Sequence, residues 1–145
     1  MNDQVVIEIA NAKNRIDTVQ KLNAKFLAYA QEHSTPQGIP TKLEVTAHEI
    51  GVHCFGHKVE TKPRVVQTSD GEFSIEYVFF IAQDEDQHEV WRFYLKADER
   101  LYESLESPSG ICDFNNQYVA KYICSHLLLS VLKSPIFAPL PKAGG

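Results

Sequence analysis

The chain has 145 residues, 43% of them hydrophobic and 23% charged, with a formal net charge of −5 and a pI near 5.6. This is ordinary globular composition, suited to one domain spanning 1–145 with a radius of gyration of roughly 15 Å. A net-negative field repels phosphate backbones, which weighs against nucleic acid and anionic membranes as partners.

The start, Met1 to Glu8, has no basic segment and no sustained apolar stretch, so no secretory leader is expected. The most apolar window, Tyr118 to Leu132, is interrupted by Lys121, Ser125, His126 and Ser130 and is too short to span a bilayer. Three cysteines, Cys54, Cys112 and Cys124, form an odd set without CxxC spacing. Small buried thiols in a reducing cytoplasm are the expectation.

From Val5 onward, apolar residues at Val5, Ile9, Ala12, Ile16, Val19, Phe26 and Ala30 trace one helical stripe. A long N-terminal helix is therefore expected to about Gln31, with a short strand at Val5-Val6-Ile7 as the alternative for its opening. Ser34-Thr35-Pro36-Gln37-Gly38 ends it.

Strand patterning runs from Thr41 to about Glu106. Leu43, Val45 and Ala47 alternate with polar residues, then the phase flips to Ile50, Val52 and Cys54, which requires a turn or bulge near His48-Glu49. Asp70-Gly71 predicts a hairpin, since this pair tolerates positive φ. Phe73, Ile75, Tyr77, Phe79 and Ile81 share one face of the following strand. A polar loop is expected at Gln83 to His88, and then Trp91, Phe93 and Leu95 share a face. Leu101 to Leu105 reads as a last strand, giving a five- to six-stranded antiparallel meander. After a break at Ser107 to Gly110, a second, largely buried helix is expected from about Asn115 to Lys133, capped by Asp113 or Asn115 and packed on the sheet. Pro135, Pro139 and Pro141 space an extended arm over 135–145. The fold class is α+β.

A sheet with one wet face should alternate cleanly. Here Val78 and Phe80 put apolar groups on the face opposite Tyr77, and Val90 and Tyr94 do the same opposite Trp91. That face calls for a cover. Val78, Phe80, Val90 and Tyr94, with Phe137 on the arm, are the candidate partner interface.

Chemistry-bearing motifs are thin. His48-Glu49-Ile50-Gly51-Val52-His53 fails the zinc-protease spacing, because the second histidine must fall four residues after the first. Read as one strand, His53 and His57 share a face about 13 Å apart, too far to share a metal. Asp84-Glu85-Asp86 lacks the length and glycine of a calcium loop. No catalytic motif of serine, cysteine or phosphate-binding type is present, so neither a catalytic residue, a metal nor a cofactor is expected. The basic group Lys58, Lys62 and Arg64, broken by Glu60, suits an acidic segment and lacks a stacking platform for nucleic acid.

The sequence thus points to a non-enzymatic interaction or adaptor protein, homodimeric through one sheet face. The alternative is a small-molecule binder or enzyme with a cavity between sheet and last helix, lined by Trp91, Phe93, Tyr118 and Tyr122.

Overall fold

In the computed structural model, residues 3–83 and 86–139 are described. Helix α1 (Asp3–Glu32) opens the chain, and the stripe read from the sequence is helical from its first turn, so Val5-Val6-Ile7 is not a strand. Only the second half of that stripe is buried, at Val19, Phe26 and Ala30, joined by Leu22 and Leu27 beside it.

Eight strands follow in one antiparallel sheet: β1 (Leu43–Val45), β2 (Ile50–Cys54), β3 (His57–Thr61), β4 (Arg64–Gln67), β5 (Phe73–Gln83), β6 (Asp86–Leu95), β7 (Arg100–Tyr102) and β8 (Cys112–Asp113). Helix α2 (Val119–Leu132) and a 3-10 turn (Pro135–Phe137) complete the order. The architecture is α+β, with more strands than the meander of five to six expected. The surplus comes from short segments whose turns carry weak sequence signals. Phe55-Gly56, at φ of 52° and 79°, folds β2 onto β3. Lys62-Pro63 splits β3 from β4, because proline has no N–H to offer the ladder.

The order is β1-β2-β3-β5-β6-β7-β8, with β4 also paired to β5. Strands β3 and β4 share one edge of β5. Glu60 faces Phe80 and Arg64 faces Glu76, with the proline break between them.

The phase flip after Ala47 is a turn from Thr46 to Glu49. The Thr46 N–H donates to the Glu49 carbonyl at 3.0 Å, while its hydroxyl accepts from the N–H groups of His48 and Glu49. At the Asp70-Gly71 hairpin Gly71 takes φ +89°, and the Thr68 N–H donates to the Glu72 carbonyl at 2.8 Å. The loop expected at Gln83 to His88 is shorter, since Gln87 and His88 already pair in β6. Asp84 and Glu85 lie outside the described residues.

Both helices pack on one sheet face. Phe26 meets Tyr77 and Phe93 edge-on at ring distances of 5.6 and 6.0 Å, and Tyr77 stacks on Phe93 at 4.6 Å. From α2, Val119, Ile123, Leu127 and Val131 are buried against the same core. A polar tie crosses it at the Tyr77 hydroxyl, which donates to Asn23 Oδ1 on α1. Helix α2 begins at Val119 with Tyr118 as its N-cap and no side-chain cap, so neither Asp113 nor Asn115 takes that role; Asn116 Oδ1 accepts from the Tyr118 N–H at 2.8 Å in the turn before it. Asp113 instead pairs with Arg100 in the β7–β8 ladder. The tail opens with a helical turn rather than an extended one, since proline at its first position presets the required φ. Leu140 to Gly145 lie outside the described residues.

Candidate functional site

The face of β5 and β6 turned away from the helices carries Ser74, Glu76, Val78 and Phe80 on one strand and Arg92 and Tyr94 on the next. Its centre is Glu76, whose side chain is only 10% exposed. One carboxylate oxygen accepts from Arg64 Nε at 2.8 Å, and the other accepts from the Tyr94 hydroxyl at 3.2 Å, with Arg92 at 3.9 Å. Arg92 also donates to the Tyr94 hydroxyl at 3.2 Å and is clamped by Glu89, whose hydrogen bond raises the guanidinium pKa further.

The register explains this cluster. Arg64 lies directly across from Glu76, and Tyr94 faces it from the other side. A groove of about 360 Å³ opens over this cluster, lined by Lys62, Arg64, Glu76, Val78, Phe80, Glu89 and Arg92. Three cations against two carboxylates give it a local surplus of one positive charge in a chain of net charge −5.

The structure distributes the interface residues unevenly. Val78 and Phe80 are half-buried on the groove floor. Tyr94 belongs to the same face but is buried within the Glu76 cluster. Val90 does not join them: β5 pairs Phe79 with Trp91 and Phe80 with Glu89, so Val90 is the extra residue of a β-bulge and packs against the core. Strict alternation through Val90 to Tyr94 could not reveal that shift. Phe137 lies elsewhere, with its ring against Phe55 at 6.1 Å and His57 at 5.8 Å. Nearer β7 the face turned away from the helices is capped by Lys96, which lies 4.2 Å over the Tyr102 ring and donates to the Leu105 carbonyl at 2.9 Å.

Of the residues expected to line a cavity under α2, Trp91 touches both Phe93 and Tyr122, and Tyr118 stands apart. Trp91 meets Phe93 at 5.4 Å and Tyr122 at 5.9 Å, and stacks on His126 at 5.4 Å. Phe93 is fully buried, whereas Tyr118 is exposed at the N-terminus of α2 and borders a separate polar recess with His33 and Lys121. Tyr122 donates to Glu103 Oε1 at 3.2 Å, and burial, helped by that carboxylate, pushes its phenol pKa up.

Sulfur and imidazole groups are scattered. Burial raises the thiol pKa at Cys54 and Cys112, and at Cys124 pushes it up to about 12, so these thiols stay protonated near neutrality. His53 and His57 are not on one strand, as the single-strand reading had them. The Phe55-Gly56 turn puts them on β2 and β3, with His53 opposite Lys58 and His57 opposite Cys54. His53 is exposed, 3.4 Å from Glu44. Among the described residues no group of three or more His, Cys, Asp or Glu side chains is placed to hold a metal ion, and no helix is long and apolar enough to cross a membrane. No protein-family model matches the chain, and no curated protein or solved structure matches it either.

Proposed function

We propose that the chain is a non-enzymatic interaction protein of the reducing cytoplasm that holds a protein partner against the uncovered face of its sheet, a second copy of the chain being the homodimeric case. The observation that carries this reading is the Glu76 cluster beside a half-buried apolar floor. A buried carboxylate costs desolvation energy unless it is well partnered, and here its partners are two arginines and a tyrosine. Their arrangement pre-orients Arg64 and Arg92 at the groove rim, with donors to spare on each guanidinium. Val78 and Phe80 line the same groove, Val78 directly across from Arg92. Such a surface suits a polypeptide segment presenting an acidic side chain and a neighbouring apolar one, and pre-orientation lowers the entropy cost of binding. The three free cysteines accord with a reducing compartment.

The test uses two readouts. Amide and methyl NMR spectra of the full chain are recorded with decapeptides that alternate Glu and Leu, and light scattering after size exclusion reports self-association. Shifts confined to Val78, Phe80, Arg64 and Arg92, abolished by Phe80→Glu, are expected. Shifts confined to other surfaces, or none at millimolar peptide together with a Phe80→Glu chain that self-associates as the parent does, would overturn the proposal.

A further inference from the structure

Helix α1 carries its apolar stripe well beyond the sheet. Val5, Ile9, Ala12, Ile16, Val19, Asn23, Phe26 and Ala30 follow alternating steps of four and three without a break. That is a coiled-coil seam. From Val19 the seam is closed by the chain's own sheet. Before that point it opens progressively: Ile16 and Ala12 are half-buried, while Val5 is 45% exposed and Ile9 63%, with Val6 at 48% beside them.

The flanking charges are complementary. Glu8 precedes Ile9 on one shoulder of the seam, and Arg15 precedes Ile16 on the same shoulder one heptad later. The Arg15 head is already held in place. It donates to the Gly71 carbonyl at 2.6 Å and lies 5.3 Å over the Phe73 ring, which leaves further N–H donors for a carboxylate.

We propose that the open half of α1 pairs antiparallel with the same segment of a second copy. Val5 faces Ile16 and Ile9 faces Ala12 in each direction, and Glu8 of each copy reaches Arg15 of the other. The overlap is roughly 20 Å long. A parallel pair is excluded by the fold, because both sheets would need the space between the helices beyond Ile16. In the antiparallel pair the second helix has reached its first turn, Asp3 to Val6, where the first copy's sheet takes over the seam. A recess of about 220 Å³ lined by Arg15, Thr18, Val19, Glu72, Phe73 and Ala97 lies at that point, where Arg15 offsets the charge of Glu72. The contact is isologous, with one twofold axis near Ala10-Asn11. This inference stands on a different element from the sheet-face groove and does not rest on it.

Sedimentation equilibrium of the full chain from about 5 to 500 µM tests the pairing, since so short a seam implies a dissociation constant on the order of 10–100 µM. Ile9→Glu is expected to weaken association at least 100-fold. Ile7→Glu, at an equally exposed position on the opposite side of α1, leaves it unchanged. Glu8→Arg and Arg15→Glu each weaken it roughly tenfold. Their equimolar mixture restores it, because the heterodimer pairs opposite charges at both Glu8–Arg15 positions; urea titration confirms that each variant is folded. A chain monomeric throughout this range, or a mixture that stays monomeric, overturns the proposal. So does a dimer lost with Phe80→Glu and kept with Ile9→Glu, which assigns self-association to the sheet face instead.

Discussion

Tyr77→Phe removes one oxygen from the middle of the protein and should change stability in opposite directions at neutral and alkaline pH. Tyr77 is fully buried between Phe26 and Phe93, and its hydroxyl donates to Asn23 across the helix–sheet layer. Deleting it leaves Asn23 without that donor, which costs about 1 kcal/mol and lowers Tm by about 3 °C. Burial, only partly offset by the Asn23 hydrogen bond, holds the folded phenol's pKa well above its ordinary value of 10.0. The stability Tyr77 contributes is therefore intact below pH 10. Above it the unfolded chain sheds a proton that the folded chain keeps, and the parent loses about 1.4 kcal/mol per pH unit. Phenylalanine has no such proton, so the two stability curves should cross at about pH 10.7. Urea unfolding followed by Trp91 fluorescence at pH 7, 9, 10, 11 and 11.5 measures both limbs. Curves that stay parallel from pH 7 to 11.5 would refute the reasoning, because the phenol would then ionise as readily in the folded chain as in the unfolded one.

Arg64→Glu sets a like charge against Glu76. Discounted for the exposure of Arg64, the loss should be about 1 kcal/mol at low ionic strength and visibly smaller in 1 M salt. Gly110→Ala should cost about 1–3 kcal/mol in urea unfolding, because the new Cβ would stand 3.0 Å from Arg100 Cβ and 3.2 Å from the Leu101 carbonyl, which accepts the Ile111 N–H. With a thiol reagent at pH 8, half-exposed Cys112 should react first and Cys124 last, its pKa of about 12 and its burial both withholding thiolate; three equal rates in the folded chain would contradict this.

Period and turn chemistry made the order of elements legible. The stripe of α1, the phase flip after Ala47 and the Asp70-Gly71 hairpin all appear in the structure because each rests on local sterics. The Phe55-Gly56 turn was hidden because phenylalanine rarely takes positive φ, so the β-branched run around it read as one strand. The bulge at Val90 was equally hidden, since it depends on how β6 meets β5 and not on either strand alone. On the uncovered face, Val78 and Phe80 were legible as misplaced apolar groups. The Glu76 cluster was not, because Arg64, Glu76 and Tyr94 are brought together only by the register of β4, β5 and β6. Two-sided apolarity was thus a good pointer to the face and a poor one to its chemistry.

Asn23 joins the core of the molecule to the free half of its first helix. It is the polar member of the heptad seam, and its bond to Tyr77 ties α1 to the sheet at one rotation, a role comparable to that of a seam asparagine in a coiled coil. A small rotation of α1 at Asn23 turns Val5, Ile9 and Ile16 together, and so shifts the whole seam relative to the chain's own sheet and to Arg15, which Gly71 holds. Asn23→Ala touches none of the residues proposed to meet the second copy. It should nevertheless weaken self-association severalfold, because the projecting half then samples a wider range of angles before it pairs. An unchanged dissociation constant, with the helix still docked by urea titration, would mean that Phe26 and Leu22 alone set the rotation.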